Sequence, residues 1–425
     1  MSASRQVCST CGSEIPETDP RTRCPRCRGL LEIRHEAPAQ AGNALRAVFD
    51  ARAGVRSGPL ASGVWRFSEA VLPTAGQYIL SHAEGNTPLL ASGAVAAWVG
   101  SRDLLLKHEG HNPTGSFKDR GMTVGVTQAK RVGARAVACA STGNTAAALA
   151  AYAALAGLPA LVIVPKGHVA AGKLAQALAY GARTLLVRGS FDDCLELAVE
   201  ASERLGAYLL NSVNPFRLEG QKTIVLEMLQ QLAWEPPDWI ALPAGNLGNT
   251  AAFGKALAEA CEWGLIDRVP RLAAVQAEGA APFALSFRDG FAQAHRVAAP
   301  HTVASAINIG NPVSYARAAR AIRETNGVVT TVSDEEIFEA KAVVDGAGIG
   351  CEPASAAAPA GVRRLVREAV IRPGERVVAV LTGHLLKDPE AITRYHAELE
   401  PQPAHANRPV EIDARIDAVE RVMRA

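Results

Sequence analysis

From about Asp103 almost to the end of this 425-residue chain, short apolar runs alternate with helical stretches, and that alternation constrains the fold more than any other feature. The runs fall at residues 104–107, 136–139, 160–164, 184–187, 239–242, 272–275, 328–332 and 377–381. Between them, apolar positions recur three and four residues apart, as over 191–205 and 334–344, which marks amphipathic helices. Strands separated by helices line up in parallel, with helices over both faces of the sheet. A hydrophobic content of 48% supplies the core that such sheets need. In open parallel sheets ligands sit beyond the carboxyl ends of the strands, so the residues that follow each run are the candidates for function.

Composition closes off other classes. Lys and Arg total 44 against 42 Asp and Glu, a balance that recommends neither nucleic acid nor an anionic membrane as a partner. Aromatic residues at 5% are too sparse for a base-stacking platform. Residues 1–8 hold no apolar run of a secretory signal, and the apolar stretch 146–165 is broken by Gly157 and Pro159, so the chain is expected to be soluble and cytoplasmic.

The eight cysteines form two populations. Cys8-Ser-Thr-Cys11 and Cys24-Pro-Arg-Cys27 are two C-x-x-C knuckles that can place four thiolates tetrahedrally around one Zn²⁺, with Gly12 and Gly29 suited to the tight turns beyond each pair. Two disulfides are disfavoured in a reducing compartment, and a redox pair lacks its usual strand-helix-strand setting. A structural zinc ribbon, closed by a strand near 28–34, is the expectation. Cys139, Cys194, Cys261 and Cys351 lie in apolar or helical surroundings and read as ordinary packing residues.

Four strand ends carry chemistry. The first leads through His108 to Pro113, Gly115 and Phe117 and then Lys118, a lysine held in a fixed direction; when desolvated, such an amine becomes a nucleophile or Schiff-base former. The second leads into Ser141-Thr-Gly-Asn144-Thr145, a polar turn ahead of a helix over 146–156, where an anion or phenolate oxygen can be received. The third ends in Pro243-Ala-Gly245-Asn246-Leu247-Gly248-Asn249 before a helix over 251–263; its Gly-Asn steps let amides converge on one phosphate, and the dinucleotide G-x-G-x-x-G spacing is absent. The fourth ends at Thr382, a hydroxyl. A Schiff-base lysine, a phosphate cup and separate polar groups for a ring oxygen and a ring nitrogen fit pyridoxal 5'-phosphate.

Gly85-Asn-Thr-Pro-Leu89, Asn112-Pro-Thr-Gly-Ser-Phe-Lys-Asp-Arg120, the Ser141 turn, the Gly245 loop and Thr382-Gly-His384 together resemble the threonine synthase family from about Glu84 to Asp388. Asn211-Ser-Val-Asn-Pro-Phe-Arg217-Leu-Glu-Gly-Gln-Lys-Thr223 is similar to that family's substrate-phosphate segment. The resemblance implies a fold-type-II pyridoxal-phosphate enzyme, α/β and tryptophan synthase β-like, with two open parallel or mixed sheets plus the small N-terminal zinc ribbon. It implies Lys118 as the catalytic, cofactor-bearing amine and Asn144 at the ring hydroxyl. Gly245, Asn246, Leu247, Gly248 and Asn249 would lie at the cofactor phosphate, and Thr382 at the ring nitrogen. Ser141, Asn211, Ser212 and Arg217 would gather at a substrate phosphate. A dianionic arm does need a guanidinium with hydroxyl and amide donors beside it. The bland alternative for Arg217 is a salt bridge with Glu219.

The implied reaction converts O-phospho-L-homoserine and water to L-threonine and phosphate, and the family suggests a homodimer. Rivals are a phosphoserine-using paralogue such as a cysteate synthase, a serine or threonine dehydratase, and a metabolite-sensing binding protein without turnover. Departures from the family pattern are Ala244 where Val is common, Asn308 where Arg often stands, and Leu385 where Gly is common. The expected division is a ribbon over 1–36, a segment over 37–103 packing on the large domain, a smaller α/β unit over 104–219 with the lysine, a larger unit over 220–400, and a tail over 401–425 with a linker and a terminal helix from Ile412.

Overall fold

A computed structural model describes residues 4–167 and 171–424, the side chains of 171–173 excepted. Residues 1–3 of the expected ribbon and Ala425 of the expected terminal helix lie outside the described residues.

The ribbon strands are β1 (Ser4–Cys8), β2 (Glu14–Pro16) and β3 (Leu31–His35), antiparallel in the order β2-β1-β3. The body strands are β4 (Leu89–Ala91), β5 (Leu104–His108), β6 (Ala136–Ala140), β7 (Ala160–Pro165), β8 (Arg183–Val187), β9 (Ala207–Leu209), β10 (Trp239–Pro243), β11 (Arg271–Ala277), β12 (Val328–Val332) and β13 (Val377–Leu381). They form two sheets, in the orders β12-β11-β10-β13-β5-β4 and β8-β7-β6-β9. Every pairing is parallel except β4 with β5. All eight apolar runs are strands, as alternation predicts.

Two body strands escaped the sequence reading, as did β1 and β2 of the ribbon. β4 and β9 are three residues each, too short to show a period. The sheet membership of β5 also differs from the expected division: rather than opening the smaller unit over 104–219, β5 pairs with β13 across the full register Leu104–Val377 to His108–Leu381. β5 lies between β13 and the edge strand β4, a place that its separation from β13 in the sequence conceals. The loop bearing Lys118 therefore hangs from the large sheet, while its helix reaches toward the small one.

Both faces of the six-stranded sheet are covered. On one, Leu45, Phe49, Trp65 and Phe67 from the segment over 37–103 join Ile240, Leu242 and Phe253 in one core. On the other, Val95, Ile337, Ala357 and Val362 pack on Trp239, Ala273 and Leu381. Small alanines let the Pro353–Arg367 helix lie close to the sheet; a Cβ at Gly361 would stand 2.4 Å from Val275 Cγ2. The terminal helix is Ile416–Arg424, shorter at its start than expected. Among the described residues, no helix is long and apolar enough to cross a membrane.

The four cysteines of the ribbon converge. Cys8 Sγ lies 3.4 Å from Cys27 Sγ and Cys11 Sγ 3.7 Å from Cys24 Sγ, all unbridged, and the four sulfurs lie within 4.8 Å of one another. Gly12 has φ +71°, and a Cβ at Gly29 would come within 3.0 Å of Cys8 Sγ. Four thiols so disposed fit a tetrahedral soft metal.

Candidate active site

Lys118 opens the helix Lys118–Arg131. Its loop is stitched to the end of β13: Phe117 N–H donates to the Thr382 carbonyl at 3.0 Å, and His384 N–H donates to the Gly115 carbonyl at 2.9 Å. Inside the loop, Asp119 accepts from the Thr114 amide at 2.8 Å and from its hydroxyl at 2.7 Å. Asn112 Oδ1 takes the Gly85 N–H at 2.8 Å, and Arg120 is paired with Glu109 at 2.6 Å and Glu227 at 2.8 Å. The polar residues of this motif thus hold the loop, and Lys118 is left over. Its ammonium faces the Phe117 ring at 4.1 Å and has no ion-pair partner among the described residues. Crowding that strips water from the amine, with the Arg217 cation adding to it, pushes Lys118 down to about 7. That is the state a nucleophilic amine requires.

The turn after β6 runs Ser141-Thr142-Gly143, and the helix begins at Asn144 rather than at 146, ending at Ala156. Asn144 Nδ2 donates to Glu352 Oε2 at 3.0 Å. Asn211 grips the end of β6 by two bonds, accepting from the Ala140 amide at 3.0 Å and donating to its carbonyl at 2.9 Å. One Asn211 N–H remains, so this side chain mainly sets the height of the Ser141 turn.

The loop after β10 contains Leu247 at φ +63°, and its helix, Gly248–Glu262, starts three residues earlier than expected. Gly248 and Asn249 therefore present first-turn amides, which lack intrahelical partners and suit an anion. Gly245 permits close approach: a Cβ there would lie 2.9 Å from Ile307 Cα. Asn246 clasps the loop, its Oδ1 accepting from Val313 N–H at 3.0 Å and its Nδ2 reaching Ser212 Oγ at 3.4 Å. The buried oxygens of Asn249, Thr250, Gln221, Ser314 and Asn308 have unmet hydrogen-bond capacity. Such a concentration of orphaned polar atoms around one cup is what a bound phosphate would satisfy.

Arg217, on the helix Pro215–Gln221, is buried at 2% exposure. Its Nη1 donates to the Leu210 carbonyl at 2.9 Å, while Nε has no partner. Burial pushes it down to about 10. The salt-bridge alternative does not hold, because Glu219 turns the other way to His35 Nε2 at 2.7 Å and to Lys222 and Lys255 at 2.6 and 2.5 Å. Thr382, at 4% exposure, has its Oγ1 3.0 Å from Ser355 Oγ and 3.4 Å from Glu352 Oε1. These contacts link every strand end singled out in the sequence around one cleft between the two sheets.

Sequence reasoning missed Glu352, Ser355 and Lys387. Lys387 Nζ donates to the Thr114 carbonyl at 3.1 Å and also meets Gln176 of the helix Ala171–Ala179, joining the two halves of the cleft. Glu352-Pro353 reads in sequence as an ordinary helix start, with an acid before a first-turn proline. Of the family departures, Leu385 packs its Cδ2 against Gly350, and Asn308 Oδ1 is among the orphaned atoms.

Residues 80–383 match the model of the family described as pyridoxal-phosphate dependent enzyme. With the paired sheets and the unpartnered lysine, this match defines a fold-type-II pyridoxal-phosphate enzyme. The chain is 43% identical to a threonine synthase of Methanosarcina acetivorans, over 97% of this chain and 96% of that one. It is 41% identical to a threonine synthase of Methanocaldococcus jannaschii over 99% of each. The crystal structure of Escherichia coli threonine synthase superposes with a TM-score of 0.71 over 99% of both chains at 20% identity, a likeness of fold. The chain belongs to the threonine synthase family.

Proposed function

We propose that this enzyme converts O-phospho-L-homoserine and water to L-threonine and inorganic phosphate in a cleft built around Lys118. The observation that carries the reading is the pairing of an amine lowered to a pKa of about 7 with a buried guanidinium that has no carboxylate partner among the described residues, Lys118 and Arg217. A dehydratase acting on an unphosphorylated amino acid has no use for the second group.

Lys118 is the residue that would hold pyridoxal phosphate, and its neutral amine is placed to take up and return protons at the substrate's carbons. Asn144 would meet the ring hydroxyl, the amides of Gly245 to Asn249 would receive the cofactor phosphate, and Thr382 would meet the ring nitrogen. When bound, the cofactor supplies an electron sink conjugated to the substrate's α-carbon. Arg217 anchors the departing phosphate, with Ser141 and Ser212 as hydroxyl donors and Asn211 fixing the Ser141 turn. A hydroxyl at the ring nitrogen, unlike a carboxylate, does not enforce its protonation. Cys8, Cys11, Cys24 and Cys27 hold a structural Zn²⁺, and the enzyme works as a homodimer in the cytoplasm.

Incubation with phosphohomoserine, phosphoserine and threonine in separate reactions tests the assignment. Phosphate and threonine are expected in equal amounts from the first alone. Phosphate without threonine, or ketoacid from threonine at a comparable rate, overturns it.

A further inference from the structure

The cleft contains one acidic side chain that the proposed chemistry leaves without a task. Glu352 is 5% exposed and lies between two residues from opposite sides of the cleft, Asn144 at 3.0 Å and Thr382 at 3.4 Å. Its backbone is fixed as well, with Glu352 N–H donating to the Gly383 carbonyl at 3.1 Å. Gly383 has to be glycine for this approach, because a Cβ there would stand 2.5 Å from the Glu352 carboxyl. A buried carboxyl placed so tightly is maintained against its own desolvation cost.

We propose that Glu352 is a positioning residue of the cofactor site, whose carboxyl orients the Asn144 amide and sets whether the Thr382 hydroxyl donates or accepts. The proposal rests on the reading that Asn144 and Thr382 face the cofactor ring.

The hydrogen-bond inventory gives the reason. An amide has two N–H donors and one carbonyl. With one Asn144 N–H held by Glu352 Oε2, the amide cannot flip, and its second N–H remains available for a ring oxygen. A hydroxyl has one proton. If Glu352 is a carboxylate, that proton points to Oε1, and Thr382 can offer a ring nitrogen only a lone pair. If Glu352 is protonated, its own O–H serves the contact and Thr382 is free to donate. Ser355 leaves this choice open when its hydroxyl donates to Thr382 Oγ1 at 3.0 Å while its Oγ accepts from Gly383 N–H at 2.9 Å. Burial raises the Glu352 carboxyl above its ordinary range, opposed by the Asn144 bond and by the Lys387 and Lys118 cations, while the nearby Cys351 thiol lies next in the chain. Glu352 therefore holds its proton more readily than an exposed carboxyl, one hydrogen bond behind the ring contacts.

The test compares wild type, Glu352→Gln and Glu352→Ala as full-length proteins. Two quantities are read: the affinity of resolved apoprotein for pyridoxal phosphate, and the absorption band of the bound cofactor over roughly pH 6 to 9. Gln is a permanently neutral isostere that accepts from Asn144 and donates to Thr382. It should keep affinity within about threefold while flattening the pH dependence of the band. Ala should weaken cofactor binding roughly tenfold and shift the band. If Ala does not fold, the Gln profile decides. Variants that match wild type in both affinity and band profile overturn the role of Glu352 alone. A wild-type protein that takes up no cofactor fixed by borohydride overturns the site reading and this proposal together.

Discussion

Lys118 and Arg217 form a pair of cations kept in one cleft, neither in an ion pair among the described residues, with the Glu352 carboxyl acting on Lys118 only from a distance. Two like charges in a place poor in water disfavour each other, and the lysine, with the lower intrinsic pKa, yields. A testable consequence is the pH dependence of cofactor capture. Lys118 attacks an aldehyde as the free amine, so the rate at which apoprotein takes up pyridoxal phosphate should rise with pH and reach half its plateau near the value of about 7. Burial is the main cause of that value and would remain, but Arg217→Ala removes the cation that adds to it, so the midpoint should move part of the way upward. The same variant should raise KM for the phosphorylated substrate by one to two orders of magnitude, about the loss expected for a charged hydrogen bond. Stopped-flow absorbance and steady-state kinetics separate the two effects. An unchanged midpoint would show that Arg217 does not act on Lys118.

At the scale of elements, the helix carrying Lys118 is held by a buried charge cluster. Glu227, on the helix Thr223–Gln231, takes Lys107 of β5 at 2.6 Å, Arg66 at 2.8 Å and Arg120 at 2.8 Å. Burial alone would raise this carboxyl, but the three cations hold it far below the ordinary range. Glu227→Gln leaves those cations unneutralised and should cost about 3–5 kcal/mol in denaturant unfolding. The Glu227 contribution is present above the ordinary carboxylate pKa, declines as pH falls below it, and is lost as pH falls through the far lower folded value. The ribbon is a second such element. It docks through His35 to Glu219, Arg320 to Glu32 and Arg28 to Glu203. Metal analysis should find about one zinc per chain. Removing it with a chelator should expose the ribbon to protease while leaving the bound cofactor's absorbance in place, because the Lys118 loop is held by separate contacts. Buried among Lys222 and Lys255, His35 is kept neutral and its pKa lowered. The unfolded chain binds that proton first, so ribbon docking should weaken as pH falls below about 6.5.

For the whole molecule, the cleft is the consequence of two sheets joined by chain that crosses from one to the other. β5 and β13 lie side by side in the large sheet, and the stitching of residues 115–117 to 382–384 makes one rigid rim. The small sheet supplies the opposite rim through the Ser141 turn, and Asn246 to Ser212 and Lys387 to Gln176 bridge between them. The small sheet also ends in an open edge, β8, where Leu185 and Leu186 are exposed. Light scattering coupled to size exclusion should give twice the chain mass; a monomer at micromolar concentration would remove the homodimer from the proposal.

Much of this was written locally in the chain. Period and turn chemistry act over a few residues, so the eight body strands of four or more residues, the two cysteine knuckles and the polar turns at four strand ends were all legible, as was Lys118 from the turn residues Pro113, Gly115 and Phe117 before it. Helix starts at Asn144 and Gly248 were misplaced because a polar first turn looks like loop. What required tertiary structure was everything set by distance across the fold. The partner of β5 lies about 270 residues away, and Glu219 is two residues from Arg217 in sequence yet faces the ribbon. Glu352 gave no local sign of its place between Asn144 and Thr382. The sequence by itself determined which residues are chemically able; folding decided which are desolvated and which are neutralised, because burial and charge pairing depend on neighbours that the chain brings together only once its sheets have formed.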